Sequence, residues 1–126
     1  MAYLIDTDIL VDYIRGNLDA AAYLQSLDEW SYSVVTAMEL FAGAQNKREI
    51  RAIEKVLKNF RETPLSRTIG SRGREIVKDY VKSDGIDPLD AMIAAAAIIE
   101  GLTLSTRNRK HFRHIRGLKI ETPSYS

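Results

Sequence analysis

The feature that most constrains this chain is its beginning, where a short apolar run breaks abruptly into charged residues. Residues 2–5, Ala-Tyr-Leu-Ile, are followed at once by Asp6, Thr7 and Asp8. A short, bounded apolar run is typical of a strand buried in a parallel sheet, and ligands bind beyond the carboxyl ends of such strands. Asp6 and Asp8 therefore stand where chemistry is expected, although one of them can instead serve only to cap the following helix.

The rest of the chain alternates short strand-like runs with helical patterns. Such alternation indicates a parallel sheet covered on both faces. The predicted fold class is α/β, a three-layer α/β/α sandwich with a short parallel sheet, and a chain of 126 residues predicts one domain over residues 1–126. Further strands are predicted at residues 30–35, 63–65, 102–105 and 115–120, and helices at 8–16, 18–27, 36–43, 47–60, 69–80 and 88–100.

Local signals place several of these boundaries. Thr36 and Glu39 form a Thr-x-x-Glu capping box that opens a short helix, and Pro88 suits the first position of the most apolar helix. The glycines Gly70 and Gly73 are predicted to permit close packing of their helix against a neighbour.

Composition excludes several functional classes. The chain has no cysteine, so disulfides, thiolate nucleophiles and cysteine metal sites are ruled out, as expected in a reducing cytoplasm. Asp6 and Asp8 interrupt the start where a signal peptide would have its apolar core. The longest apolar run, residues 91–99, falls short of the roughly 20 residues that a membrane helix needs. We therefore expect a soluble, cytoplasmic protein with no membrane partner.

Charge is unevenly distributed although the formal net charge is only +1. Acidic residues dominate the chain up to residue 40, where Arg15 is the single base. Residues 107–119 contain bases and no acid. This asymmetry suits an acidic pocket beside a basic rim, although a basic run of this kind is also typical of an ordinary solvated surface. The bases are Arg107, Arg109, Lys110, Arg113, Arg116 and Lys119.

Four positions are candidates for chemistry: Asp6, Glu39, Asp90 and the segment around Asn108. Each follows a predicted strand or opens a helix, and each acid taken singly has a capping or helix-dipole explanation. Together, three carboxylates in one crevice repel unless a cation lies among them. Mg²⁺ or Mn²⁺ takes oxygen ligands and can activate a water against a phosphate. No Ser–His–Asp or Cys–His arrangement and no glycine-rich phosphate loop competes.

The ordered set of motifs resembles the PIN-domain ribonucleases, and more narrowly the VapC toxins of type II toxin–antitoxin systems. The resemblance covers nearly the whole chain, in the family's order and spacing. The motifs are Asp6-Thr7-Asp8-Ile9-Leu10 with Asp12, Thr36-x-x-Glu39-Leu40 with Gly43, Asp87-x-x-Asp90-Ala91-x-Ile93-Ala94-Ala95, Thr106-Arg107-Asn108-x-x-His111-Phe112 and Gly117-Leu118.

The resemblance implies an endoribonuclease dependent on Mg²⁺ or Mn²⁺. Such an enzyme cleaves single-stranded or loop RNA and is a homodimer held inactive by a small VapB-type antitoxin. Asp6 and Asp90 fall on the family's metal ligands, and Glu39 falls on its second acid. Where the family often has a fourth acid, this chain offers Asn108 and His111.

The predicted roles follow from that alignment. Asp6, Asp90 and Glu39 are expected at the metal, and Asn108 is expected to orient substrate or water. The basic residues Arg107, Arg109 and Lys110 are expected to contact RNA phosphates, which position a nucleic acid without reading its sequence.

Two alternatives remain open at the level of sequence. Asp6-x-Asp8 suggests a haloacid-dehalogenase-like phosphotransferase, but that class wants Thr or Val where Leu10 stands, and its lysine and Gly-Asp pair are missing. A non-catalytic RNA-binding or receiver module is the second alternative. Three acids kept at predicted strand and helix termini argue against it.

Overall fold

The computed structural model describes residues 2–125, and within them five strands form one parallel sheet. The strands are β1 (Tyr3–Ile5), β2 (Trp30–Ser33), β3 (Arg61–Thr63), β4 (Thr103–Ser105) and β5 (Ile120–Glu121). Their order in the sheet is β3-β2-β1-β4-β5, so the first strand of the chain is the central one. Leu4 is in register with Ser31 on one side and with Leu104 on the other.

Helices cover both faces of the sheet, as the alternating pattern predicts. Leu4 and Ile5 are fully buried neighbours on β1, yet they belong to two different apolar cores. Successive side chains of a strand point to opposite faces, so the two cores lie on opposite sides of the sheet and the α/β/α prediction is confirmed. The helices are α1 (Thr7–Ile14), α2 (Leu18–Ser26), α3 (Val34–Ala42), α4 (Lys47–Leu57), α5 (Arg67–Asp84), α6 (Pro88–Glu100) and α7 (Arg109–Phe112).

The apolar helix α6 is buried along most of its length and packs closely on α5. Five of its residues between Ala91 and Ala97 are alanines, each at most 1% exposed. A Cβ added at Gly73 of α5 would lie 2.6 Å from Sδ of Met92, so the two helices approach closely there. The predicted role of Gly73 is therefore confirmed. The same role for Gly70 is wrong, because nothing lies within 4 Å of a Cβ at that position.

The predicted capping box at Thr36 is wrong. Helix α3 already begins at Val34, and the side chain of Ser33 accepts a hydrogen bond from the backbone N–H of Val35. Thr36 is instead fully buried inside the helix. The reason is that β2 ends at Ser33, which gives the chain an earlier N-cap.

Some element boundaries also differ from prediction. The last strand is confined to Ile120–Glu121, because residues 113–119 turn through Gly117 at a φ of +85°. Helix α4 ends at Leu57, three residues before the predicted end at residue 60. Strand β3 spans Arg61–Thr63, whereas residues 63–65 were predicted. Pro88 opens α6 as predicted, with Asp87 as its N-cap. No helix within residues 2–125 is long and apolar enough to cross a membrane.

Candidate active site

The acidic candidates gather at the carboxyl edge of the sheet. Asp6 directly follows β1, and Thr106 directly follows the adjacent strand β4. Glu39 lies on α3, the helix that leaves β2, and Asp90 lies in the first turn of α6. In a parallel sheet these ends share one edge, which is where ligands bind in open α/β folds.

Asp6 is held in a fixed orientation by two donors. Its Oδ1 accepts from the backbone N–H of Thr7 at 2.8 Å, and its Oδ2 accepts from the Thr106 hydroxyl at 2.7 Å. The residue is 5% exposed. Burial first, and then the charges of Asp8 and Glu39, raise the pKa of Asp6 to about 7 against the lowering effect of the two hydrogen bonds. Asp6 does cap α1 through Oδ1, but a cap does not require the second hydrogen bond, from Thr106 to Oδ2.

Glu39 is oriented by a chain of two hydroxyl groups. The Thr7 hydroxyl donates to Oε1 of Glu39 at 2.6 Å. The oxygens of Thr7 and Thr36 are 2.9 Å apart, so Thr36 donates to Thr7 while Thr7 donates to Glu39. This relay ties the acid of α3 to the residue next to Asp6, which explains why Thr36 is buried in the middle of a helix.

Asp90 lies where the helix start brings it close to the other acids. The backbone N–H of Asp90 donates to Oδ1 of Asp87, so Asp87 performs the capping and the carboxylate of Asp90 is available for other contacts. Burial and the charges of Asp87 and Asp6 raise the pKa of Asp90 to about 6, while His111 acts to lower it. The two acids therefore interact electrostatically although they come from segments 84 positions apart in the sequence.

Asn108 and His111 both lie at this edge of the sheet. The backbone N–H of Asn108 donates to the Thr106 hydroxyl oxygen at 2.9 Å. Nδ2 of Asn108 is 2.8 Å from Nδ1 of His111, and that same ring nitrogen is 3.5 Å from Oδ2 of Asp90. Asn108 and His111 thus contact each other, and His111 is the one near a carboxylate.

The three basic candidates are not equivalent. The guanidinium of Arg107 pairs with Asp12 at 2.8 Å and lies 4.9 Å from the ring centroid of Tyr125. Its backbone N–H also donates to Oδ2 of Asp8 at 3.1 Å. Arg109 and Lys110 are exposed on α7 and form no ion pair within the described residues. The side chain of Arg107 therefore already has an acidic partner, whereas its two neighbours face solvent.

Sequence reasoning missed the hydroxyls that hold the acids, Thr7 and Thr106. Thr106 immediately follows β4 and Thr7 is the second residue after β1, so the strand predictions carried a signal that would have singled them out. Sequence reasoning also missed the contact of Arg107 with Asp12 and Tyr125. No local pattern links these residues, because Asp12 and Tyr125 are 113 positions apart.

The donor set suits a hard divalent cation in an open site. No group of three histidine, aspartate or glutamate side chains among residues 2–125 is placed to hold a metal ion together. Mg²⁺ is often bound through one or two carboxylates and several waters, so an open arrangement is compatible with it. Oδ1 of Asp8 is the one buried side-chain oxygen or nitrogen in the described chain without a hydrogen-bond partner. One oxygen of the Asp8 carboxylate, whose charge acts on Asp6, is therefore left without a donor.

Comparison with known proteins identifies the family of this chain. The PIN domain family model matches residues 3–118. Ribonuclease VapC19 of Mycobacterium tuberculosis is 36% identical over 114 residues, which cover 86% of this chain and 90% of that protein. A toxin–antitoxin complex from Klebsiella pneumoniae contains a chain that is 30% identical, with a TM-score of 0.84 and coverage of 98% of this chain and 99% of that one.

A second solved structure extends the likeness. A chain of VapBC-1 from nontypeable Haemophilus influenzae is 26% identical and superposes with a TM-score of 0.80, covering 99% of this chain and 100% of that one. Family match, sequence identity and fold agree over nearly the full length of the chain. This chain belongs to the PIN-domain family, among the VapC ribonucleases.

Proposed function

We propose that this chain is the toxin of a toxin–antitoxin pair and cleaves RNA at the carboxyl edge of its sheet. In this proposal Asp6 and Asp90 hold a Mg²⁺ or Mn²⁺ ion, and Glu39 completes the metal shell or steers the attacking water. The observation that carries the proposal is the gathering of three carboxylates from distant segments, one of them 5% exposed and none paired with lysine or arginine. We also propose that residues 1–126 form one domain.

The chemistry is hydrolysis of a phosphodiester. When bound, a hard divalent ion supplies an acidified water and a counter-charge for the phosphate oxygens. Asp6 presents its carboxylate in an orientation fixed by the backbone of Thr7 and the hydroxyl of Thr106. Glu39 is held by Thr7, so its free oxygen can accept a proton from a water while the rest of the group stays in place. In this proposal Asn108, which contacts His111 at the same edge, orients substrate or water.

RNA is the proposed substrate, and Arg109 and Lys110 are the proposed phosphate contacts. Both are exposed at the start of α7, next to Asn108. We assign Arg107 a lesser role than the sequence predicts, because Asp12 already neutralises its charge. Contacts to phosphates fix the position of the strand but read no base. The alternatives of a phosphotransferase and of a non-catalytic module receive no support from the relatives described above.

A small antitoxin is the proposed protein partner. The two solved relatives described above come from a toxin–antitoxin complex and from VapBC-1. On this chain a cavity of about 470 Å³ lies between α1, α3 and α4, and its polar lining residues are Arg15, Glu39, Gln45 and Glu49. An antitoxin segment seated there would cover Glu39 and so explain inhibition.

We also propose a homodimer. Large apolar side chains remain exposed on two helices that contact each other, Met38 of α3 at 58% and Leu89 of α6 at 48%. Residues of this kind are candidates for a contact between two copies, because burying apolar surface drives association.

The test compares two acids of the same helix turn. With the full chain and a single-stranded RNA, Asp90→Asn should lower the Mg²⁺- or Mn²⁺-dependent cleavage rate at least about 100-fold, as expected when a group that stabilises transition-state charge is lost. Asp87→Asn is the matched control, because asparagine caps helices as well as aspartate does. Equal activity in the two variants, or cleavage that survives a chelator, would refute the proposed mechanism.

A further inference from the structure

Arg107 lies in the chain between two residues of the site, Thr106 and Asn108, yet its charge is already paired. Its guanidinium donates to Oδ2 of Asp12 at 2.8 Å, and its backbone N–H donates to Oδ2 of Asp8 at 3.1 Å. A carboxylate this close offsets most of the attraction that an arginine has for a phosphate. The property of Arg107 that remains available to a ligand is therefore the plane of its guanidinium group.

Two tyrosine rings support that plane. Cζ of Arg107 lies 4.9 Å from the ring centroid of Tyr125, which is within the range of a cation–π contact. The Tyr125 hydroxyl donates at 2.8 Å to Oδ2 of Asp12, the same atom that binds the guanidinium. The rings of Tyr125 and Tyr23 pack with their centroids 6.3 Å apart. One acceptor atom therefore holds the arginine and Tyr125 against each other, and we call the three side chains the Arg107 stack.

The Arg107 stack is joined to the strand that leads into the site. The hydroxyl oxygen of Tyr23 lies 2.6 Å from Oγ of Ser105, the last residue of β4. The next residue is Thr106, whose hydroxyl orients Asp6. The stack is therefore attached to the same carboxyl edge at which the acids gather.

We propose that Arg107 binds RNA by stacking on a base, with Tyr125 as the support of its plane. This inference rests on the proposed function, because it concerns the same substrate at the same edge. Proteins hold single-stranded RNA by stacking its bases on aromatic rings and on the planes of arginine side chains.

The surroundings of the guanidinium decide which side a base would approach. Tyr125 covers one face and Asp12 takes part of the edge, so the opposite face is the one left for a base. The side chain of Arg107 is 37% exposed, so a ligand can reach it. Because Asp12 and Tyr125 already fix the orientation of the plane, little side-chain freedom is lost when a base binds. Arg107 thus contacts a base, whereas Arg109 and Lys110 contact phosphates.

The test compares RNA with a chain that has the same phosphates and no bases. Fluorescence anisotropy of the full-length protein in a chelator, which stops metal-dependent cleavage, measures the affinity for a single-stranded oligoribonucleotide and for a fully abasic oligoribonucleotide of equal length. We expect the wild type to bind the base-bearing RNA at least about fivefold more tightly, the lower end of what one stacked base contributes. Arg107→Ala should lose most of that preference and keep its affinity for the abasic chain.

Three further variants separate the plane from the charge. Arg109→Ala is the matched control, and it should weaken the binding of both probes by the same factor, because an exposed phosphate contact does not depend on bases. Arg107→Lys keeps the positive charge without the plane, so it should behave like Arg107→Ala. Tyr125→Leu removes the supporting ring and should also reduce the preference for bases.

The outcomes distinguish this inference from the proposed function. Equal loss of affinity for both probes in Arg107→Ala, or a preference restored in Arg107→Lys, would show a charge contact and overturn the inference. A wild type that binds base-bearing RNA no better than the abasic chain, or not at all, would overturn it too. An unchanged preference in Tyr125→Leu would remove the supporting role of that ring. Metal-dependent cleavage that is lost in Asp90→Asn would leave the proposed function standing in each of these cases.

Discussion

Replacing Asp6 by asparagine removes a charge from the buried end of β1, keeps the shape of the side chain and allows both of its hydrogen-bond partners to be retained, with the direction of the Thr106 bond reversed. An asparagine keeps the bond from the backbone N–H of Thr7 through its carbonyl oxygen. Its amide can donate to the hydroxyl oxygen of Thr106, which already accepts from the backbone of Asn108 and has a second lone pair. The substitution therefore isolates the electrostatic cost of the carboxylate.

The magnitude follows from the pKa of Asp6, raised from 3.8 to about 7. A group whose pKa is higher in the folded chain adds stability below its unfolded pKa and loses it as the pH rises through the folded value. At 1.36 kcal/mol per pH unit, the charge costs up to about 4 kcal/mol above pH 7, of which about 3 kcal/mol develops between pH 5 and pH 8. Solvent screens little of this, because Asp6 is 5% exposed.

Urea unfolding in a chelator at pH 5 and pH 8 measures this cost. We expect the free energy of unfolding of Asp6→Asn to exceed that of the wild type by about 3 kcal/mol more at pH 8 than at pH 5. Mg²⁺ at pH 8 should stabilise the wild type and leave the variant unchanged, because only the wild type retains the ligand. Asp28→Asn, at an exposed carboxylate just before β2, is the control. A gap that does not grow with pH, or that Asp28→Asn reproduces, would refute the reasoning.

Three further predictions concern the residues around the site. Thr7→Val should lower the free energy of unfolding in urea by about 1–3 kcal/mol and slow RNA cleavage, because Glu39 loses its donor. Thr7→Ser keeps the hydroxyl and should restore both the stability and the cleavage rate. Arg109→Ala should reduce the slope of log affinity for single-stranded RNA against log salt concentration by about 0.7. Arg107→Ala should leave that slope unchanged, because the Arg107 side chain already pairs with Asp12. By light scattering the wild type should have twice the 14.2 kDa chain mass and Met38→Glu a single chain mass; a monomeric wild type would contradict the dimer.

The parts of the fold that sequence predicts are those set by local chemistry. The strand before Asp6 is a bounded apolar run, and the start of α6 combines the cap Asp87 with Pro88. Both signals depend only on neighbouring residues, so they can be recognised without the tertiary structure. The carboxyl-edge rule then places Asp6 and Asp90 near each other once the sheet is known to be parallel.

The parts that sequence does not predict depend on contacts between distant segments. Thr36 looks like a cap, yet it is buried because its hydroxyl bonds to Thr7, 29 positions away. The basic run contains Arg107, whose partners lie on α1 and near the end of the chain. A run of basic residues shows that its side chains can bind an anion. It does not show whether a carboxylate of the same fold already pairs with one of them, as Asp12 does with Arg107.

The bond between Asp6 and Thr106 joins residues 100 positions apart, and it has a consequence for synthesis. During synthesis Asp6 emerges early, whereas β4 and the Thr106 hydroxyl that orients this acid emerge late. The carboxylate edge is therefore incomplete for most of translation. A ribosome making this ribonuclease finishes nearly the whole chain before an ordered active site exists beside its own RNA.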